Sequence, residues 1–255
     1  MPMAASRSSS DHDVPMRFST NPVDVLHDKV SVPRGLALKV FDVPGERLPG
    51  SEADVTQNFV FADSPAFSAP TAKKFLANLK PLAASTDVAE GAKKALSATL
   101  RVAERVVEAF GGQSSTLISM GGHPMTHVLG ASFYSGAALR HGRHVAKYAV
   151  VPVSMELKSL TGQEVDLDDR PDGLREEVVA FARITAEPQV GWSDAIQRAT
   201  EDGMFFSPWR GLAAHQPLGN AMRARKAACE QSARLRAERN GTPVVEPTDL
   251  SAFPV

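Results

Sequence analysis

Residues 35–43 read GLALKVFDV, with Leu36, Leu38 and Val40 on one side and Ala37, Lys39 and Phe41 on the other. An alternation of two is the period of a β-strand, because successive side chains point to opposite faces. The turn-rich segment PGERLPGSEAD (44–54) follows, then TQNFVFA (56–62), a second strand closed by Asp63-Ser64-Pro65. Two strands joined by a short connection read as an antiparallel pair. Residues 116–120 and 144–151 give two further strands of the same kind.

The helices come later. Ser68 opens one, with Pro70 at an early position where a missing N–H costs little and Phe75, Leu76 and Leu79 at helical spacing. Residues 87–110 carry the longest apolar stripe, Leu96, Leu100, Ala103, Val107 and Phe110, and Gly111-Gly112 ends it. Residues 175–185 suit either helix or strand, and 192–200 a helix. Strands first and helices afterwards predict an α+β fold around an antiparallel sheet. Residues 1–14, rich in Ser and Asp, read as a disordered tail, and 15–250 as a single domain.

Composition narrows the function classes. With 255 residues, 43 % of them hydrophobic, the chain can bury a sizeable core, and a net charge of −1 argues against nucleic acid or a membrane surface as partner. One cysteine rules out an internal disulfide framework. The first fifteen residues hold no apolar run of signal-peptide length, and a soluble, cytoplasmic protein is expected.

The lone cysteine, Cys229, lies in PWRGLAAHQPLGNAMRARKAACEQSARLR (208–236), with Arg225 four residues before it. Asn220 suits a cap, and residues 221–235 are strong helix formers, so Arg225 and Cys229 share a face. A cation one turn from a thiol favours, in general, the thiolate that ligates metals and attacks electrophiles. The bland alternative is a small residue packed on an amphipathic helix. His123 and His127 are four apart, but Pro124 between them argues against one helix face and a zinc pair, while His141 and His144 read as loop residues. No P-loop, dinucleotide fingerprint or nucleophile elbow is present.

Several collinear segments resemble the catalase superfamily, in particular its small bacterial haem proteins. MRFSTNP (16–22) and VPRGLALKVFDVPGE (32–46) look like that family's RFST segment and the strand after it. TQNFVFADSPAF (56–67) is similar to its distal strand. FYSGAALRHGRHVAKYAVVPVS (133–154) and the Cys229 segment resemble the small bacterial members. The resemblance implies an antiparallel β-barrel, here partial, with flanking and C-terminal helices around a haem.

Residue by residue, the resemblance implies that Arg17 pairs with a haem propionate, as guanidinium forks suit carboxylates. Phe67 matches an aromatic on the distal side and Asp63 the distal asparagine. Arg225 and Cys229 match the proximal R-x-x-x-Y, with cysteine standing where tyrosine is expected, so Cys229 becomes the expected iron ligand. The family's distal histidine motif is missing from the sixteen residues before Arg17, and the block expected after 172–181 is missing too. Three readings follow: a haem oxidoreductase acting on hydrogen peroxide or organic peroxides, with Asp63 as the proton-moving group; a haem carrier or sensor without turnover; and a truncated, non-haem remnant. A barrel short of strands exposes sheet edges, which favours a homo-oligomer.

Overall fold

A computed structural model of the chain describes residues 12–20, 28, 30, 32–84, 125–170, 174 and 194–252. The expected strand at 116–120, the long helix at 87–110 and the ambiguous 175–185 lie outside these residues. Three strands form the backbone of the main sheet: β1 (Met16–Thr20), β2 (Arg34–Val40) and β3 (Gln57–Ala62). They pair antiparallel, with Arg17 opposite Ala37 and Ala37 opposite Val60. The chain before β1 also follows β2, since Phe41 donates its N–H to Asp13 O and Lys39 to Pro15 O.

After β3 comes α1 (Ala72–Ala84), then β4 (Phe133–Tyr134), β5 (Leu139–His141), β6 (His144–Ala146) and β7 (Ala149–Val150). The helices α2 (Met155–Ser159), α3 (Asp194–Gly203) and α4 (Asn220–Asn240) complete the set. The order in the main sheet is β1-β2-β3-β4-β7, and β5 and β6 form a separate two-stranded sheet.

The architecture is mixed, as expected, and among the described residues the sheet is open where the resemblance implied a partial barrel. Its ladder thins: β3 and β4 share the single pair Ala62 and Tyr134, and β4 is only two residues long. The strand expected over 144–151 is likewise two short strands in different sheets. They break at Tyr148, whose N–H turns to the Ser135 hydroxyl instead of a ladder carbonyl.

Two helix starts also differ. The first helix begins at Ala72, not Ser68, because the Thr71 hydroxyl accepts from Lys74 N and serves as the cap. Of its apolar stripe only Phe75 turns inward; Leu76 stays 57 % exposed. Gly219, with φ of 91°, precedes α4, while Asn220 is its first residue and reaches across to accept from Ala72 N of α1.

The sheet has two unlike faces. On one, Leu36, Phe61, Val128 and Phe133 form an apolar core, joined by Phe18, Leu38, Phe59 and Tyr148. On the other, Ala37 and Val60 pack under Met204 and Phe206. The segment 204–212 binds that face to the rest: Arg210 O accepts from Asn58 N of β3, and Gly211 O from Leu48 N. Gly211 must be glycine, since a Cβ there would stand 2.4 Å from the Gln57 amide, which holds Leu212 N at 2.7 Å.

Candidate functional site

The residues singled out from sequence fall into two groups. Arg17 and helix α4, which carries Arg225 and Cys229, both touch the segment 204–212. The Arg17 guanidinium lies 4.8 Å from the ring centre of Phe206. Helix α4 rests on the same segment: Trp209 Nε1 donates to Met222 O at 2.7 Å and Arg236 to Met204 O at 3.4 Å. Met222 and Ala233 are buried, and Arg225, Lys226, Cys229 and Arg236 half-buried at positions three and four apart. That spacing defines one inward stripe, with Cys229 at its centre as a free thiol.

Asp63 and Phe67 lie elsewhere. Asp63 accepts Arg34 N at 2.7 Å and donates its own N–H to Arg34 O at 3.1 Å, closing the end of the β2–β3 pair. With Arg17 in register with Val60, Asp63 stands about 10 Å further along the strand and about 10 Å across it. Asp63 also offsets the burial that pulls the Arg34 guanidinium's pKa down. Phe67, 38 % exposed, stacks on Phe75 of α1 with ring centres 4.9 Å apart. Arg17 and the helix that carries Arg225 and Cys229 thus meet at one segment, while Asp63 and Phe67 make their contacts elsewhere.

Two clusters escaped the sequence reading. Lys39, taken from sequence as one position of an alternating strand, is fully buried. Its ammonium donates to Asn58 Oδ1 at 3.0 Å, to Phe205 O at 3.2 Å and to Glu246 Oε1. Glu246 also accepts from Thr56 Oγ1 at 2.7 Å and, through its other oxygen, from Arg210 Nη1 at 3.4 Å. Arg210 in turn contacts Asp54 at 3.2 Å. Burial pulls the Lys39 pKa down, and the Glu246 carboxylate opposes that pull. Nothing local in sequence signals this, because Lys39 and Glu246 are 207 residues apart.

The second cluster surrounds Tyr148. His141, read as a loop residue, bonds the Tyr148 hydroxyl through Nδ1 at 2.7 Å and stacks on His215 at 6.1 Å between ring centres. Phe59 flanks both Tyr148 and His215. His215 is buried, and among the described residues its Nδ1 has no hydrogen-bond partner. Burial, then the neighbouring His141, lowers its pKa. His127, excluded from a zinc pair, is buried as the cap of a short turn, accepting from Leu129 N.

Among the described residues no helix is long and apolar enough to cross a membrane. No family model matches the sequence, and no curated protein does. Solved structures do. A fungal catalase superposes with a TM-score of 0.52 at 16 % identity, over 96 % of this chain and 55 % of its own. Catalase A from Saccharomyces cerevisiae gives 0.56 at 16 % identity, over 99 % and 59 %. The chain therefore spans little more than half the length of either, and at this identity the likeness concerns the fold alone. The fold is catalase-like, with its sheet open among the described residues.

Proposed function

We propose that this chain is a catalase-related haem protein in which Cys229 is the iron ligand and Arg17 the propionate partner, with peroxide turnover impaired. What supports the reading is the convergence of Arg17 and the Cys229 stripe of α4 on the segment 204–212. The catalase-like fold supplies the context. Thiolate ligation supplies electron density that favours O–O cleavage when haem is bound. Turnover also needs a group that moves a proton between peroxide oxygens, and Asp63, engaged with the Arg34 amide, is poorly positioned for it. Phe67 is a distal-side contact in this proposal only if it leaves Phe75. The partners of the reading are a peroxide and a second copy of the chain, in a reducing cytoplasm that keeps Cys229 a thiol.

The ferrous–CO spectrum of the haem-supplied protein tests the ligand. Thiolate ligation predicts a strongly red-shifted Soret band that Cys229→Ser removes; an unshifted band eliminates Cys229. Peroxide consumption tests the impairment, since Asp63→Ala should leave a low rate unchanged. A large drop would restore Asp63 to the catalytic role. A second reading, a scaffold without haem, is favoured by one observation: Lys39, Asn58 and Thr56 beneath this face are fully buried. A protein that stays colourless with haem in excess would establish it.

A further inference from the structure

We propose that Lys39, Thr56, Asn58 and Arg210 form a carboxylate-binding site occupied by the chain's own Glu246, and that a free carboxylate of the acetate class takes the same place when that side chain is removed. Four donors from three separate segments converge on Glu246. Lys39 Nζ, Thr56 Oγ1 and Asn58 Nδ2 (3.5 Å) face Oε1, and Arg210 Nη1 faces Oε2. Lys39, Thr56 and Asn58 are each fully buried. Separate donors for the two oxygens select a carboxylate over a spherical anion. Charge points the same way: Lys39, Arg210 and the neighbouring Arg47 face Glu246 and Asp54, so losing Glu246 widens the excess of cations.

The ligand arrives on a segment outside the helices and strands. Helix α4 ends at Gly241, in the left-handed conformation at φ of 66°. Residues 241–249 then return to the sheet without forming helix or strand, and Val245 stays 61 % exposed. Pro243 and Val244 border a small cleft shared with Met204, Phe205, Ala233 and Arg236. The Glu246 side chain, 6 % exposed, is its buried anchor. The segment is a strap whose latch is a carboxylate in a site built for one.

The test is thermal unfolding and refolding of the full-length Glu246→Ala variant in sodium acetate against sodium chloride at equal ionic strength. Acetate is expected to raise the folded-to-unfolded ratio in proportion to one plus its concentration over Kd, about elevenfold at ten times its Kd, while chloride does not. Wild type, whose site is filled, should show no acetate-specific gain, and adding Lys39→Met to Glu246→Ala should abolish the response. If Glu246→Ala does not fold in chloride, its refolding yield in acetate carries the same comparison. Coincident acetate and chloride results, in stability and in yield, overturn the proposal, as does an equal acetate gain in wild type.

Discussion

The two faces of the β1-β2-β3 sheet are buried by different means. One is closed mainly by apolar side chains: Leu36, Phe61, Val128 and Phe133 are each under 9 % exposed and need no polar partner. The other is closed partly by charge, with Lys39 at zero exposure held by Asn58, Phe205 O and Glu246. An apolar face gains with every ångström squared removed from water, and loses in proportion when trimmed. A charged face behaves as a unit, since each buried ion costs several kcal/mol unless its partner is present. The faces should therefore differ in how they fail.

The largest effect is expected on the apolar face. Phe133→Ala should cost about 3–5 kcal/mol in urea unfolding, as a buried aromatic ring packed against Phe18 is lost. A cost under about 1 kcal/mol would mean that this face is not the core. On the charged face, Lys39→Met should cost about 2–3 kcal/mol, less than a pair left wholly uncompensated because Arg210 still faces Glu246. The double variant Lys39→Met with Glu246→Leu should recover most of that loss, which no pair of apolar truncations would do. Additive losses would erase the distinction between the faces.

Acid sharpens the comparison at the edge of the apolar face, where His215 meets His141, Tyr148 and Phe59. Burial holds the His215 pKa below the ordinary histidine value near about 6.5, so the fold favours the neutral ring. Below about 6.5 the unfolded chain binds the proton more readily. Stability from this group is present above that pH and falls as pH drops toward the folded pKa, by no more than about 1.4 kcal/mol per pH unit. His215→Phe should flatten the profile; an unchanged profile would assign the acid sensitivity elsewhere. The smallest effect is at the sheet's periphery: Asn220→Ala removes the 3.3 Å bond to Ala72 N and should cost about 0.5 kcal/mol.

The apolar face was legible because its period is local. Leu36, Leu38 and Val40 announce a strand within five residues; β3 lies within one residue of its expected bounds, and β2 starts one residue early and ends at Val40, three residues short of the expected end. The charged face was not. A buried lysine and a solvated one have the same local neighbours in sequence, and what distinguishes Lys39 is Glu246, brought to it by the return of the chain after α4. The broken strand at Tyr148 has a similar origin: its N–H is diverted by Ser135, thirteen residues away. At the candidate site, helical spacing put Arg225 and Cys229 on one half-buried stripe. The pairing of Asp63 with Arg34, 29 residues upstream, lay beyond any local pattern.

A haem titration of the apoprotein, followed by absorbance in wild type and Cys229→Ser, tests the central proposal most directly. Saturable one-to-one binding in wild type, with a spectrum that changes its ligation signature in Cys229→Ser, is the predicted result. Identical spectra for the two proteins, or no binding by either, would contradict it.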